Sequence, residues 1–326
     1  MKKIGLVIPY FGKFPSYFQL FLNSCKYNDT IDWILITDIK EKYNYPNNMK
    51  IFYMNFEQLQ TIIQSKFDFP IVLDKPYKLC DYKPAYGYIF EEYLTAYDFW
   101  GYCDVDLLFG DIRKFISDEL LSQYDKIGHL GHLSIYRNSS AINKVFMTDT
   151  SRYKEVFSTS NICVFDEWDN ISINKIFLEQ GLRLHIWNDF FDAYPYHDNL
   201  HRVIFDIDPS QLYYKKSIDC TASYVTWEMG HIFLWKSQNR KWVKNELAYI
   251  HLQKRNMLTK CLFDVEQILC LPDKFVPFES SNIPLQFRIY RIMHQIFDCK
   301  RILHIYKSIK YQIAVITSPI RHLFRK

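Results

Sequence analysis

The segment Trp100-Gly101-Tyr102-Cys103-Asp104-Val105-Asp106-Leu107-Leu108-Phe109-Gly110-Asp111 joins a mostly apolar run to two aspartates that are one residue apart. The run predicts a buried strand, and alternate side chains of a strand lie on one face. Asp104 and Asp106 are therefore expected to point from the end of the strand toward one position. Carboxylates beside an apolar core need a partner, and oxygen ligands of this kind predict a site for Mg²⁺ or Mn²⁺. The alternative is a solvated turn or a helix cap.

Apolar runs alternate with helical patterns in the first part of the chain, which predicts an α/β fold. Strands are expected at residues 4–9, 32–37 and 50–55, and helices at residues 17–25 and 56–66. Such β-loop-α units build parallel sheets, and ligands of these sheets bind beyond the carboxyl ends of the strands. Tyr10, Phe11 and Asp38 follow two of the strands and are expected at the same edge as the two aspartates.

Lys83 comes just before a predicted helix that runs to about residue 97. A lysine there can bind an anion together with the helix N-terminus. The alternative is a solvated lysine beside Asp81 as a helix cap.

A further strand is predicted at residues 126–136; it contains His129 and His132 and is followed by Arg137. Two histidines three residues apart lie on opposite faces of a strand, so they form a poor pair of metal ligands. Arg137 offers a planar fork of donors for a phosphate, or it is an ordinary surface arginine in a turn.

Asp166 and Glu167 precede a predicted helix at residues 171–180 and lie beside Trp168. These carboxylates suit a general base or the binding of sugar hydroxyls, and the aromatic side chain suits the stacking of a sugar ring. In the alternative interpretation the two acids only cap the helix.

A short apolar strand ends at His251, and Lys254 and Arg255 follow it. A neutral imidazole can complete the ligand shell of a divalent metal, while the cations can neutralise a leaving diphosphate. A buried structural histidine with solvated basic neighbours is the alternative.

Composition excludes several classes of protein. The 326 residues are 48% hydrophobic and 18% aromatic, which excludes a disordered chain, and only 9 Gly and 12 Pro argue against an all-β sandwich or a repeat array. No stretch reaches the roughly 18 apolar residues that a membrane span needs. The 8 cysteines form no C-x-x-C pair, which is typical of a reduced, cytoplasmic protein.

Charge is concentrated at the C-terminus. Residues 283–326 carry nine Lys and Arg against the single Asp298, a net charge of +8, whereas the rest of the chain carries −4. Isoleucines recur at helical spacing beside these basic residues, which predicts a basic amphipathic helical tail. The tail either lies on an anionic membrane surface or packs on the preceding domain, residues 1–282. The acidic remainder of the chain argues against nucleic acid as a partner.

Taken together, six segments resemble the GT-A class of nucleotide-sugar glycosyltransferases, and more specifically an uncharacterised bacterial family found with capsule and O-antigen genes. The segments are residues 8–12, 78–87, 100–111, 137–138, 165–167 and 249–255. The resemblance implies a GT-A-like Rossmann-type mixed, mostly parallel sheet flanked by helices, with a C-terminal helical extension. The end of the last segment is shorter than the His-x-x-Gly-x-x-Lys-Pro pattern of glycogenin-like relatives.

The resemblance also implies roles for individual residues. Asp104, Asp106 and His251 would bind Mn²⁺ or Mg²⁺. Asp166 and Glu167 would be the catalytic carboxylates. The residues that would bind the donor are Tyr10, Phe11, Asp38, Lys83, Asp104, Arg137 and Lys254.

The function expected on this basis is that of a metal-dependent hexosyltransferase. It would move a sugar from a nucleotide-diphosphate donor, a UDP-sugar, to a glycan or lipid-linked acceptor in bacterial surface polysaccharide synthesis. The protein is expected in the cytoplasm, with the tail as a contact for the inner face of the plasma membrane. Two alternatives stay open: a haloacid dehalogenase-like phosphohydrolase, and a non-catalytic membrane-associated sugar-binding protein.

Overall fold

The computed structural model describes residues 1–167, 172–195, 200–208, 213–219, 223–239, 241–253, 255–259 and 265–278. The predictions for Trp168, for Lys254 and for the tail at residues 283–326 lie outside the described residues.

The strands of the described part fall into three sheets. In chain order they are β1 (Ile4–Pro9), β2 (Ile31–Thr37), β3 (Met49–Tyr53), β4 (Phe99–Cys103), β5 (Leu107–Phe109), β6 (Lys126–Leu130), β7 (Leu133–Arg137), β8 (Leu184–His185), β9 (Phe191–Ala193), β10 (Arg202–Asp208), β11 (Tyr213–Asp219), β12 (Ser223–Glu228), β13 (His231–Gln238), β14 (Lys241–Leu247), β15 (Tyr249–His251), β16 (Leu258–Thr259), β17 (Gln267–Cys270) and β18 (Lys274–Pro277).

The helices are mostly short. They are α1 (Phe18–Lys26), α2 (Phe56–Ser65), α3 (Leu79–Tyr82), α4 (Tyr86–Ile89), α5 (Glu91–Leu94), α6 (Ile112–Phe115), α7 (Asp118–Gln123), α8 (Ser140–Asn143), α9 (Thr150–Phe157) and α10 (Ile173–Glu179), with 3₁₀ turns at Pro76–Lys78, Lys83–Ala85 and Val145–Met147. Among the described residues, none of these helices is both long and apolar enough to cross a bilayer.

The first sheet is mixed and mostly parallel, as the sequence predicted. Its strand order is β3-β2-β1-β4-β7-β6-β8, and β3, β2, β1 and β4 all run parallel. Beyond β4 the sheet continues with β7, which is antiparallel to both β4 and β6, while β8 pairs in parallel with β6. The fold class is therefore α/β, and the carboxyl ends of β1, β2 and β4 share one edge.

This sheet is buried on both faces. Successive residues of β1 alternate between two clusters, with Leu6 in one and Val7 in the other, both 0% exposed. Helix α1 covers the first face with Phe21, and α2 covers the second with Leu59. Each fully buried side chain of this size contributes roughly 1.5–3 kcal/mol, which explains the continuous apolar runs of the first strands.

The strand predicted at residues 126–136 is a hairpin instead of one strand. Its register shifts between Ile127 and Leu130, and Gly128 has a φ of 91°, in the left-handed region that favours glycine. The chain then turns at Gly131 and His132 into β7. The turn puts Gly131 and His132 at the carboxyl edge of β4, since Leu133 pairs with Cys103.

The second half of the chain is richer in strands than its composition suggested. One further sheet has the order β11-β10-β9-β15-β5, and the other has the order β14-β13-β12-β17-β18-β16. Their pairings are mainly antiparallel, and β5 brings the segment after Asp106 into the first of them. The chain therefore leaves the parallel sheet at Cys103 and enters a different sheet at Leu107.

Lys126 is a lysine buried inside the first sheet. Its side chain donates to the carbonyl oxygen of Gly128 and, at 3.2 Å, to Oγ of Ser134, and its Nζ lies 5.1 Å from the ring centroid of Tyr136. Burial lowers the pKa of Lys126 to about 7, although Asp166 acts in the opposite direction. In the unfolded chain a lysine titrates near 10.4.

Substitution Lys126→Met should change how stability depends on pH. Between about pH 7 and pH 10 the unfolded wild-type chain binds more protons than the folded one, so the free energy of unfolding should rise with pH by up to ~1.4 kcal/mol per unit. The Met variant lacks this group, so any excess of its free energy of unfolding over that of wild type should shrink toward pH 10. Urea unfolding at a series of pH values measures this. Parallel curves for the two proteins would contradict it.

Candidate active site

Asp104 and Asp106 lie in the bend between β4 and β5, not inside a strand. Strand alternation therefore does not place them, contrary to the sequence-based expectation. They converge because the bend turns both side chains to the same side. One oxygen from each carboxylate and one nitrogen of His251 all lie within 4.8 Å of one another.

His251 reaches this group through the pairing of β15 with β5. The ladder sets His251 opposite Leu107, and the backbone N–H of Leu252 donates to the carbonyl oxygen of Asp106 at 3.0 Å. Nε2 of His251 lies 3.5 Å from Oδ1 of Asp106, and Nδ1 lies 2.8 Å from Oδ1 of Asp192. The three-residue strand β15 thus brings His251 to two aspartates that lie about 150 residues earlier in the sequence.

These three residues fit a divalent cation. Two carboxylates and an imidazole are a suitable donor set for Mn²⁺ or Mg²⁺, and a ligating histidine commonly has its second nitrogen on a carboxylate. The side chains are 36%, 21% and 12% exposed for Asp104, Asp106 and His251, so solvent ions can reach them. Burial alone would lower the pKa of His251, but Asp106 and Asp192 raise it well above its usual value.

Lys83 connects the two acidic parts of the site. Its Nζ is 2.8 Å from Oδ1 of Asp104, 2.8 Å from the carbonyl oxygen of Gly131 and 3.3 Å from Oδ2 of Asp166. Burial opposes its charge, yet Asp104 and Asp166 raise the pKa of Lys83 well above its usual value. The sequence suggested an anion partner for Lys83, and in the structure its anions are these two carboxylates.

Asp166 and Glu167 are held against the β6–β7 turn. Oε1 of Glu167 accepts a hydrogen bond from the N–H of Gly131 at 3.1 Å, and Asp166 is 3% exposed. Burial raises the pKa of Asp166 to about 8, which Lys83 partly counteracts, and burial also raises the pKa of Glu167. The acids do not cap α10, because Ser172 is the N-cap residue.

Glycine is the only residue type that fits at position 131 without moving these two acids. A Cβ at this position would lie 2.3 Å from Oδ2 of Asp166 and 2.8 Å from Oε1 of Glu167. Any side chain here would therefore displace the two carboxylates from the Lys83 ammonium and the Gly131 amide.

The loop that carries Asp166 is fixed by a buried ion pair. Nζ of Lys78 lies 2.7 Å from Oδ2 of Asp81, and both side chains are 0% exposed. The Asp81 carboxylate accepts from the N–H groups of Cys163 and Phe165, at 2.9 Å and 3.1 Å. These amides flank Val164, whose φ of 54° is unusual for a β-branched residue. Asp81 therefore holds a strained loop in place and is not a helix cap.

Tyr10 and Asp38 follow β1 and β2 at the expected edge. Burial, and then the charges of Asp106 and Asp104, raise the pKa of Tyr10, whose hydroxyl donates to the carbonyl oxygen of Lys13 at 3.0 Å. Asp38 is exposed, whereas Phe11 is 8% exposed and packs on Phe56 with ring centroids 5.4 Å apart. The Phe11 ring is thus part of the core, although the residue follows β1 at the expected edge.

Arg137 is not brought to the site, and its expected donor-binding role is not supported. It pairs with Phe99 at the start of β4, the end of the strand away from Asp104. Its guanidinium donates to Asp125 at 3.1 Å and to the carbonyl oxygen of Tyr124 at 2.8 Å. Antiparallel pairing of β7 with β4 reverses the chain, so Arg137, the last residue of β7, lies at the opposite edge.

His132 and Asp192 are site residues that the sequence did not reveal. His129 and His132 do not act together, as expected, because Nε2 of His129 bonds to the carbonyl oxygen of Phe205 at 2.9 Å. The His132 ring instead lies 4.4 Å from the ring of His251. Asp192 is 1% exposed within β9, and the one available signal was an isolated acid in an apolar strand.

Comparison with known proteins assigns the chain to a family. The family described as "Family of unknown function (DUF6625)" matches residues 6–279. The chain belongs to this family. No match was found among curated proteins.

Solved structures show only a distant likeness to the DUF6625 chain. A galactosyltransferase, LgtC, in complex with donor and acceptor sugar analogs is 11% identical, with a TM-score of 0.34 over 59% of this chain and 77% of its own. The glycosyltransferase GlyE of Streptococcus pneumoniae TIGR4 is 11% identical, with a TM-score of 0.32 over 58% of this chain and 46% of its own. A glycosyltransferase involved in glycosylation of the PBCV-1 major capsid is 9% identical, with a TM-score of 0.32 over 59% and 85% of the two chains. Because these scores are low, the function has to be inferred from the site itself.

Substitution Asp81→Asn should destabilise the fold strongly. It leaves the buried Lys78 ammonium with neutral acceptors, among them the carbonyl oxygens of Val156 and Asn161 at 3.0 Å and 2.6 Å, and with no counter-charge from Asp81. Breaking one side of a buried pair costs about 3–5 kcal/mol, which urea unfolding can measure. The double variant Lys78→Met, Asp81→Asn should lose less. The exposed Asp29→Asn serves as control, and a loss for Asp81→Asn no larger than that of the control would contradict the assignment.

Proposed function

We propose that this DUF6625 protein is a metal-dependent glycosyltransferase. It moves a sugar from a nucleotide-diphosphate donor to a hydroxyl of an acceptor. The observation that carries the proposal is the convergence of Asp104, Asp106 and His251 within 4.8 Å, at the edge where the parallel strands end. Ligands of open α/β sheets bind at this edge.

The three ligands have separate tasks in this mechanism. A divalent cation bound by them supplies positive charge against the donor diphosphate. Such a cation would be held by Asp106 and His251, which lie on the β5 and β15 side of the site, and by Asp104, which lies beside Lys83. Lys83 occupies Oδ1 of Asp104 and so fixes the direction of its carboxylate.

Asp166 is the candidate for the acceptor side of the reaction. Its carboxylate lies 3.3 Å from the same Lys83 nitrogen that contacts Asp104, so one ammonium group separates the donor side from the acceptor side. Burial raises the pKa of Asp166, so its carboxylate is a stronger base than that of a free aspartate, as a general base for a hydroxyl requires. In an inverting reaction Asp166 or Glu167 acts as this base; in a retaining reaction the two acids orient the acceptor.

The proposed substrates rest on the sequence resemblance alone. We take a UDP-sugar as donor and a glycan or lipid-linked acceptor of bacterial surface polysaccharide synthesis. Tyr10 and Asp38 lie at the edge where the nucleoside would bind, and Lys254 is proposed to meet the leaving diphosphate.

Substitution Asp106→Asn should impair both metal binding and donor turnover. It removes one anionic ligand, so Mn²⁺-dependent binding of UDP in calorimetry should be lost, and turnover of UDP-sugars should fall about 10²–10³-fold. Asp29→Asn is the matched control, because Asp29 is exposed and precedes β2 at the opposite edge of the sheet. Thermal unfolding of both variants checks that the fold is kept.

Three outcomes distinguish the alternatives. Full activity of Asp106→Asn without metal would contradict the proposal. Release of phosphate from phosphomonoesters without an acceptor would favour the phosphohydrolase. Binding of a nucleotide sugar with no turnover in the presence of any acceptor would favour a sugar-binding protein.

Removal of residues 283–326 should release the protein from anionic vesicles. These residues carry a net charge of +8 in a pattern typical of a membrane-surface helix. Cosedimentation with vesicles that contain phosphatidylglycerol measures this, and vesicles of phosphatidylcholine alone are the control. Equal binding of the full chain and the truncated chain would show that the tail is not the membrane contact.

A further inference from the structure

Asp192 is buried directly behind the proposed metal ligand His251. Strands β9 and β15 are parallel neighbours, and their register sets Asp192 opposite His251. Oδ1 of Asp192 lies 2.8 Å from Nδ1 of His251, and Asp192 is 1% exposed. The carboxylate therefore faces the ring nitrogen that points away from Asp106.

A second residue fixes the orientation of this carboxylate. Nε2 of Gln253 donates to the same Oδ1 of Asp192 at 2.5 Å. The backbone of Gln253 has a φ of 45°, a left-handed conformation that non-glycine residues seldom adopt. Such strain persists where surrounding contacts hold it, and here the Asp192 contact is one of them.

We propose that Asp192 is a positioning residue that fixes His251 with a proton on Nδ1 and with Nε2 aimed at the cation site. A carboxylate accepts hydrogen bonds and does not donate them, so Nδ1 of His251 must be the donor in this pair. Nε2, 3.5 Å from Oδ1 of Asp106, is then the ligating nitrogen. The inference rests on the proposed function and adds to it the residue that orients the His251 imidazole toward the metal.

His132 restrains the same ring from another side. Its ring centroid is 4.4 Å from that of His251, and its Nδ1 is 3.1 Å from the hydroxyl of Tyr249. His132, Asp192 and His251 also place ligand atoms within 4.8 Å of one another. In the second trio, Asp192 already bonds to Nδ1 of His251 at 2.8 Å, so a cation that took these two atoms as ligands would have to replace that hydrogen bond. We therefore assign Asp192 to orientation and the first trio to the metal.

Titration of the protein with Mn²⁺ alone tests this assignment, with free Mn²⁺ followed by electron paramagnetic resonance. Asp192→Asn keeps a weaker acceptor, so its dissociation constant should rise about 10-fold, and Asp192→Leu should approach about 100-fold. Asp189→Asn is the matched control, since Asp189 is exposed and lies three residues before Asp192 in the chain. Its affinity should stay within about twofold of wild type.

Kinetics separate orientation from a merely structural role. If Asp192 acts through His251, saturating Mn²⁺ should restore most of the kcat of Asp192→Asn, so the defect lies in the metal concentration needed. Thermal unfolding of each variant without metal shows whether it is folded.

The outcomes tell the two proposals apart. Unchanged Mn²⁺ affinity in folded Asp192→Asn and Asp192→Leu overturns the role of Asp192 and leaves the proposed function standing. A loss of affinity in His132→Phe that clearly exceeds the loss in Asp106→Asn places the cation in the second trio and also overturns it. Absence of Mn²⁺ binding by the wild-type protein overturns the metal-dependent function, and the role of Asp192 with it.

Discussion

The ammonium group of Lys83 is the interaction on which the candidate site depends. It lies between Asp104, which comes from the bend after β4, and Asp166, which comes from the loop before α10. Like-charged carboxylates this close disfavour ionisation in one another, and burial of Asp166 adds to that effect. With Lys83 in place the two segments can approach, and the Gly131 carbonyl oxygen completes the ammonium's contacts.

Three parts of the surrounding structure hold these charged side chains in place. The two buried faces of the parallel sheet fix the end of β4, and the β4–β7 pairing brings the Gly131 turn to it. The Lys78–Asp81 pair then holds the loop around Val164 in a conformation that a valine would not adopt by itself. Each of these parts limits the conformations of a charged side chain. Several buried charges can therefore stay close together in the site.

The metal side of the site is built by a separate part of the fold. His251 and Asp192 come from two short parallel strands, and β5 joins these strands to the bend that carries Asp106. Because the chain leaves one sheet at Cys103 and enters another at Leu107, the acidic pair lies where two sheets meet. Ligands from distant sequence can reach a junction of this kind from both sheets.

The sequence by itself determined the parallel β-loop-α part of the fold and the edge of the sheet at which Tyr10, Asp38 and the Asp104–Asp106 pair lie. It also identified His251, Asp166 and Glu167 as candidate site residues. These depend on local patterns: continuous apolar runs, strand ends and acids placed at them. Only the tertiary structure decided that Lys83 binds carboxylates, that Arg137 lies at the opposite edge, that Phe11 packs in the core, and that Asp192 and His132 flank His251. The physical reason is that strand direction and pairing between residues far apart in sequence set these contacts, and no local pattern encodes them.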